Sequence, residues 1–474
     1  MQNTVRKFRW TTQIAIAMAM AGSGVAVVAH ADSATGNWAE LIQTPSTNAD
    51  QQQRDRFTSF NEALANKSYS EAEITAKQMV ESVNTDAIDA VPARARALQN
   101  LALVQKLQGN FASSSQNYEA VLSLIASEED NLSPSLILPL RGLAILQMDT
   151  GDSAAAFDTF DRATHVSNVN YGPHSFNQLP ILNAKMQIYL GQNDPASALD
   201  VLDRIYMLHT RKYAWEAEEL LPALYQKAEI YEQLNMRHEA YRTWRHVRAI
   251  KRQHYAENDV SLVEPNIRMA KLSMQSLRST VYRTVTTSTA EKHLKRALWI
   301  AENSPDGDWQ VRKDCLLALA DYYTLFNLKG RAHRRYAKAW ELMSSNENSL
   351  IARAEDFEAP TPLSQPRPDP YAGFEYHPDR AKAKPDDYIE GEMIMAFTVN
   401  DRGRTEDFRV VDSDPPNFSR MEYRVRNAVS AFVYRPRYVN GEAAATGNLQ
   451  YRAKFFYLPL DYDDAVAKND KRRR

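Results

Sequence analysis

The side chains of this 474-residue sequence that most readily suggest metal or nucleophile chemistry are ten histidines and one cysteine. His238, His246 and His254 recur at intervals of eight, whereas two metal ligands on one helix face are three or four residues apart. Arg237 and Arg245 stand beside two of these histidines and would repel a cation. We therefore expect a solvated basic helix face here and no metal site.

The single cysteine, Cys315, lies among leucines and alanines, which favours a small buried apolar residue over a reactive thiol. The sequence contains no Gly-x-Ser-x-Gly, phosphate-loop or dinucleotide-binding motif. We expect no catalytic residue, no cofactor and no disulfide, and hence a protein that is not an enzyme.

The overall composition excludes further classes of function. The formal net charge is −2, with 57 basic and 59 acidic residues, so the basic field that binds nucleic acid is missing. Hydrophobic residues make up 44% and charged residues 24%, as in globular proteins, and the length allows several domains. Only 15 glycines occur, which favours long helices.

The N-terminus carries the pattern of an export signal. Three basic residues precede an apolar run over residues 14–29, and Ala29-His30-Ala31 provides the small-x-small pattern of a cleavage site. Residues 1–31 are therefore predicted to be a signal peptide and the mature chain to be periplasmic. The alternative is a retained inner-membrane anchor, although the run is shorter than the roughly 20 residues that span a bilayer.

A repeat with a period of 42 residues follows. Small residues recur at this spacing, each five residues after a Gly or Asn turn in most units: Ala72, Ser114, Ala156, Ala198 and Ala240. After a step of 50 residues, Ala290 and Ala332 restore the spacing. Positions four and seven residues beyond each small residue are mostly apolar, and another small or apolar residue lies twelve before most of them. The pattern predicts antiparallel helix pairs in close contact.

These residues resemble the tetratricopeptide repeat family over residues 53–345, with the 42-residue spacing of its longer variety. The resemblance implies a mainly α fold, a right-handed superhelical solenoid of antiparallel helix pairs. The sixth unit departs most, because Arg278 stands at a small position and residues 284–289, rich in threonine, replace the usual turn.

The resemblance also implies that the first helix of each pair lines a groove that binds a protein or peptide. The residues at these positions are Gln99, Arg141, Asn183, Gln187, Tyr225 and Glu229. Their alternative interpretation is ordinary solvated polar positions. The family's carboxylate-binding set is not recognisable, so no specificity for C-terminal peptides is implied.

A proline-rich stretch separates this repeat from a second pattern. Seven prolines fall within residues 360–385, which predicts an extended linker over residues 354–385. Beyond it, alternating apolar residues predict a hairpin over residues 391–411, helical spacing follows from Phe418, and residues 449–458 alternate again. The expected order is β-β-α-β in a small α+β domain, residues 386–460, followed by a charged tail, residues 461–474.

This second pattern resembles the C-terminal domain of the TonB family, the periplasmic energy transducers. The matching segments are Tyr376-His377-Pro378, Ile389-Glu390-Gly391, Phe397-Thr398-Val399, Phe432-Val433-Tyr434-Arg435-Pro436 and Asn440-Gly441. The family binds outer-membrane receptors by adding a strand to an exposed sheet edge, which here would be residues 449–458 with Gln450, Arg452 and Lys454. Arg452 and Lys454 are equally interpretable as charges that discourage aggregation at the edge.

The resemblances together imply a periplasmic protein-binding adaptor of a Gram-negative cell envelope, linked to TonB-dependent transport. Its expected partners are outer-membrane receptors or the ExbB/ExbD complex, with no nucleic acid and, once the signal is cleaved, no membrane span. The alternative is an envelope scaffold whose C-terminal domain binds peptidoglycan or dimerises without a role in energy transduction.

Overall fold

The computed structural model describes residues 38–46, 49–84, 90–275, 283–345, 347–366 and 388–458. The predicted signal peptide, the charged tail and residues 367–387 of the linker lie outside the described residues. The described chain is mainly helical, as predicted, with a small region of sheet near its C-terminus. It divides into two compact units, Met1–Trp215 and Glu216–Arg474, here called the N-terminal and C-terminal units.

The described part of the N-terminal unit contains four helix pairs and three short 3-10 helices, Trp38–Leu41, Pro134–Leu136 and Phe176–Gln178. The pairs are α1 (Gln51–Ala65) with α2 (Tyr69–Glu81), α3 (Ala90–Leu107) with α4 (Phe111–Glu128), α5 (Ile137–Asp149) with α6 (Ser153–Tyr171), and α7 (Leu179–Gly191) with α8 (Pro195–Lys212). The two helices of each pair pack against each other.

The C-terminal unit continues the helix pairs and adds a small sheet domain. Its helices are α9 (Leu221–Gln233), α10 (Arg237–His254), α11 (Val263–Gln275), α12 (Arg283–Asn303), α13 (Trp309–Leu325), α14 (Lys329–Leu342) and α15 (Glu347–Phe357). The first six of these form three further pairs, α9 with α10, α11 with α12 and α13 with α14.

The positions that define the repeat form the contact between paired helices. The small residues of the second helices are buried: Ala72, Ser114, Ala156, Ala198, Ala240, Ala290 and Ala332. The larger residues four positions later are also buried, among them Tyr118, Phe160, Trp244 and Tyr336. Small side chains let the helix backbones approach, and the larger ones fill the space beside them. The predicted helical repeat is confirmed by these pairs.

Each turn between paired helices that the structure describes contains a residue with positive φ. These residues are Lys67, Gly109, Gly151, Asn193, Asn235 and Asn327, all between φ 57° and 84°. Each lies five residues before a buried small residue, so the turn keeps the 42-residue phase. Glycine adopts this conformation without strain and asparagine adopts it more readily than other residues, which explains most of these identities.

The sixth pair differs from the prediction. Residues 284–289 do not replace the turn, because they belong to α12, and Arg278 lies outside the described residues. The buried small residue of the first helix is Ala270, which is 42 residues after Ala228. The additional eight residues therefore lie inside this pair, between Ala270 and Ala290. Periodicity located the insertion but gave no information about which element contains it.

The C-terminal domain contains β1 (Thr361–Ser364), β2 (Ile389–Val399), β3 (Thr405–Asp414), α16 (Ser419–Ser430), β4 (Val433–Arg435), β5 (Arg437–Val439), β6 (Glu442–Ala444) and β7 (Thr446–Tyr457). The three long strands form an antiparallel sheet in the order β3-β2-β7. The predicted hairpin, helix and final strand are confirmed, whereas the short strands β1, β4, β5 and β6 were missed. They are too short to show an alternating pattern.

One face of this sheet and α16 share a hydrophobic core. Its members include Met393, Met395 and Phe397 of β2, Val425 and Val429 of α16, and Phe455 of β7. The opposite face of β2 and β7 carries charged residues. The alternation that predicted the strands therefore reflects one buried and one solvated face.

Part of the predicted linker is ordered against the domain. Residues 354–357 form the end of α15, and Thr361–Ser364 pairs antiparallel with Val433–Arg435, with Thr361 opposite Arg435. The chain leaving the last helix thus joins the sheet domain before it reaches the residues that are not described.

Candidate protein-binding surfaces

In the N-terminal unit, a stretch of the chain's own backbone lies against the first helices α3 and α5. This N-terminal segment comprises residues 38–43. The Asn100 side chain donates to the Gln43 carbonyl oxygen and accepts from the Gln43 amide, both at 2.8 Å. The adjacent Gln99 donates from Nε2 to the Leu41 carbonyl oxygen at 3.1 Å. Two neighbouring amide side chains therefore hold the backbone of the segment.

Arg141 on α5 extends the same site. Its Nη2 lies 2.7 Å from Oε2 of Glu40, in the N-terminal segment. Burial lowers the pKa of Arg141, and the Glu40 carboxylate opposes that shift. Two of the predicted groove residues, Gln99 and Arg141, are thus brought together on one peptide segment.

Asn183 and Gln187, the next two predicted groove residues, lie half-buried on α7 in the same unit. Asn183 takes part in a polar interaction of its side chain or backbone. Both residues therefore lie on a first helix, as predicted.

Tyr225 and Glu229, the last two predicted groove residues, lie on α9 in the C-terminal unit. The Tyr225 ring packs edge-on against Trp244, with ring centroids 5.3 Å apart. Burial raises the pKa of Glu229, opposed by Arg268 and reinforced by Glu264. Glu229 is nevertheless accessible to solvent, as expected for a side chain at the surface that has protein atoms on several sides. These residues belong to a mixed-charge face of the C-terminal unit.

The predicted edge residues Gln450, Arg452 and Lys454 are exposed on β7. Lys454 Nζ lies 2.9 Å from Glu390 Oε1, and Arg452 Nη1 lies 3.4 Å from Glu392 Oε2. Side chains of a strand stand perpendicular to the sheet, so these cross-strand ion pairs cover its solvated face and not its edge. Access to the edge therefore depends on the β7 backbone.

The β7 strand is 12 residues long and pairs on one side only among the described residues, with β2. The other edge of the sheet is β3, whose side chains include Glu406, Asp407, Asp412 and Asp414. The two edges thus differ in the charge of the side chains beside them, β7 carrying bases and β3 acids.

A junction that sequence reasoning missed joins the sheet domain to the last helices of the C-terminal unit. Arg435 of β4 contacts Asp321 of α13 with two nitrogens, Nε at 3.0 Å and Nη2 at 2.8 Å. Its Nη1 lies 3.1 Å from Asp356 Oδ1 on α15. Arg435 is only 8% exposed, so one buried guanidinium connects a strand to two helices. No periodic signal links residues that are 114 positions apart.

Further contacts extend the junction. Tyr438 of β5 belongs to the hydrophobic core of the helices, with its ring centroid 4.9 Å from that of Phe357 and 5.4 Å from that of Tyr336. Arg404 Nη2 donates to the carbonyl oxygens of Thr324 and Leu325, at 3.1 and 3.3 Å. These carbonyls end α13, where a cation is favourable. The sheet domain is therefore packed onto the repeat by both polar and apolar contacts.

Of the residues that first suggested chemistry, the cysteine lies in the core and two of the histidines lie on the surface. Cys315 is fully buried in the helical core, as predicted, and burial raises the pKa of its thiol to about 12. His238 and His254 are exposed on α10, and His254 Nε2 donates to the Glu216 carbonyl oxygen at 2.9 Å. Within the described ranges, no group of three or more His, Cys, Asp or Glu side chains is placed to hold a metal ion.

None of the helices in the described part of the chain combines the length and apolar character needed to cross a bilayer.

No protein-family model and no curated protein matches the chain. Similar solved structures include BtubC (BKLC) from P. vanneervenii, at 19% identity over 51% of this chain and 94% of that one, with a TM-score of 0.38. The nearly identical TPR-like repeats of a protein described as a kinesin light chain, from Podosopora anserina, give 16% identity, 45% and 98% coverage and a TM-score of 0.36. These scores are too low to assign a function, so the helical repeat is established by its own helix pairs.

Proposed function

We propose that this chain is a protein-binding adaptor of the bacterial cell envelope, linked to TonB-dependent outer-membrane transport. In this proposal the helical repeat is a tetratricopeptide solenoid that binds one partner, and the TonB-like domain binds another by strand addition. The observation that carries the proposal is the long edge strand β7, which has no second neighbour among the described residues.

An unpaired strand edge presents a row of backbone N–H and C=O groups that a partner strand can satisfy. The ion pairs of Arg452 and Lys454 lie on the sheet face, so they leave this backbone row uncovered. Both side chains still place positive charge next to the edge, which favours a partner strand with acidic residues over a second copy of β7. The same two charges can therefore both select a partner strand and discourage aggregation at the edge.

The experiment is a pair of proline substitutions at neighbouring positions, Gln450→Pro and Tyr451→Pro. Successive N–H groups of a strand face opposite sides, so one proline removes a bond to β2 and the other removes a donor at the free edge. We expect the variant that loses only a donor at the free edge to keep the domain folded. It should abolish cross-linking to outer-membrane receptors and uptake of their substrates. Unchanged cross-linking and uptake in a folded edge variant would contradict the proposal.

A second candidate function, an envelope scaffold, is favoured by the junction at Arg435. A transducer domain that travels to a receptor gains from a free tether, whereas this domain is packed onto α13 and α15. If the scaffold is correct, purified chain should sediment with peptidoglycan sacculi, and substrate uptake should not depend on β7. If the chain does not sediment with sacculi and substrate uptake depends on β7, the adaptor is favoured.

A further inference from the structure

We infer that the face formed by α3 and α5 is a peptide-binding site for a partner segment with an acidic residue followed directly by a large aliphatic one. The chain's own N-terminal segment occupies this site and competes with the partner. The inference deepens the proposed protein-binding role of the repeat and rests on it.

Two buried amide side chains hold the backbone of the segment. Asn100 is fully buried, and both polar atoms of its side chain are used by Gln43. Gln99 is 3% exposed and its Nε2 donates to the Leu41 carbonyl oxygen. Amides covered by a peptide are unfavourable unless they are paired, and here both are paired with the backbone of the segment that covers them. Contacts to the backbone alone accept many sequences.

Two side chains of the segment, Leu41 and Glu40, add selectivity to these backbone contacts. Leu41 is 1% exposed and belongs to the hydrophobic core of the first pairs, together with Leu103 and Leu140. Arg141 is buried, whereas the Glu40 side chain that pairs with it is half exposed. A buried guanidinium favours a carboxylate at this position, and the adjacent apolar pocket favours an aliphatic side chain. The preferred ligand therefore carries the pair Glu-Leu or a close equivalent.

The segment competes with a partner because it belongs to the same chain as the site. Fewer than ten residues separate the segment from the start of α1, so its effective concentration at the site is on the order of millimolar. A partner peptide with the same contacts must compete with this concentration. The site is consequently closed to weak ligands and open to a partner that is tethered nearby or makes additional contacts.

The probe is a fluorescein-labelled peptide with the sequence of residues 38–46, added to the full chain and followed by fluorescence anisotropy. In the variant Leu41→Asp, the segment should leave the site, and we expect the peptide to bind at least about tenfold more tightly than to the unaltered chain. Adding Asn100→Ala to this variant should abolish binding, whereas Gln116→Ala, an exposed amide on α4, should not change it. A peptide with lysine at the position of Glu40 should bind at least about tenfold more weakly.

A folded Leu41→Asp chain that fails to bind the peptide at millimolar concentration overturns the inference and assigns the segment a purely structural role. If that variant does not fold, hydrogen exchange on the unaltered chain decides. Saturating unlabelled peptide should accelerate exchange in residues 39–46, and unchanged exchange overturns the inference. Neither result affects the β7 proline experiment, so failure of this site and failure of the adaptor function are distinguishable.

Discussion

At the scale of single residues, the buried side chain of Arg435 joins the sheet domain to two helices. Its three nitrogens meet two carboxylates at 3.1 Å or less, in a position that is 8% exposed. Removing one member of a buried ionic group leaves the others without compensation, which costs more than the intact group contributes. The guanidinium therefore compensates the charge of Asp321 and shares that of Asp356 with Lys313.

The first prediction is that Arg435→Met lowers the free energy of unfolding by about 3–5 kcal/mol. Asp321 would then keep the Tyr336 hydroxyl but lose the guanidinium, and Asp356 would keep only the Lys313 ammonium of its two cation contacts. Arg437→Met, two residues away and with a partly exposed side chain, is the matched control and should change stability by at most about 0.5 kcal/mol. Urea unfolding measures both, and equal effects of the two substitutions would show that the ion group is unimportant.

At the scale of elements, the turns between paired helices combine a conformational requirement with open space. Gly151 has φ 84°, and a β-carbon added there would meet no atom within 4 Å. The cost of a side chain at this position is therefore backbone strain alone. Gly191, the last residue of α7, has the same open surroundings without a positive φ.

The second prediction follows from this contrast. Gly151→Ala should destabilise the chain by about 1–2 kcal/mol, because alanine disfavours the left-handed region. Gly191→Ala should be neutral or stabilising by up to about 1 kcal/mol, because alanine is the better helix former. Thermal unfolding of the two variants tests the prediction, which fails if both move the transition in the same direction.

The helices α10, α11 and α12 meet at a buried histidine. His293 of α12 lies 3.1 Å from Arg248 Nη1 through Nδ1 and 3.3 Å from the Tyr241 hydroxyl through Nε2, both on α10. Asn266 of α11 accepts from the same Arg248 nitrogen at 3.3 Å. Burial, together with the charge of Arg248, lowers the pKa of His293 to about 4.

The third prediction is a loss of stability on acidification. Between about pH 6.5 and pH 4 the unfolded chain binds a proton at His293 that the folded chain excludes, so stability falls as the pH falls through this range. The loss attributable to His293 is up to about 3 kcal/mol. The variant His293→Gln should have a shallower pH dependence, measured as urea midpoints from pH 7 to pH 4, and an unchanged slope would contradict the assignment.

The repeat could be predicted from sequence because its signals are local and periodic. The buried alanines and the glycine or asparagine turns depend on residues within a few positions of one another, so spacing alone reveals them. The site at Gln99 was found in part, since position on the first helix is periodic too. Asn100 was missed because it breaks that period, and its role depends on a segment 57 residues earlier. Contacts of this kind follow from tertiary packing, which no local pattern encodes.

At the scale of the whole chain, the junction changes how the C-terminal domain can be studied. Tyr438 fills part of the helical core beside Tyr336 and Phe357. The sheet domain therefore covers a part of α13 to α15 that would otherwise be solvated. Deleting residues 386–474 would expose these rings and leave Asp321 and Asp356 without Arg435. Loss of transport after such a deletion would therefore be ambiguous.

The fourth prediction is that this deletion loosens the last helices. Hydrogen exchange in residues 309–357 should accelerate by about tenfold or more, because those helices lose both a core residue and an ion group. The edge variant Gln450→Pro or Tyr451→Pro that keeps the domain folded is the control, and its exchange in the same range should match the unaltered chain. Unchanged exchange after deletion would show that the helices are independent of the domain.

The attachment of β4 also sets how the C-terminal domain would respond to mechanical load. A pull on β7 along its length would act on the β2–β7 ladder in shear, so its hydrogen bonds would share the load. The load would then reach α13 and α15 through Arg435 and the ring of Tyr438, on the side of the domain that adjoins the helices. Tension on β7 would therefore act on the contacts of Arg435 and Tyr438 with the helices as well as on the β2–β7 ladder.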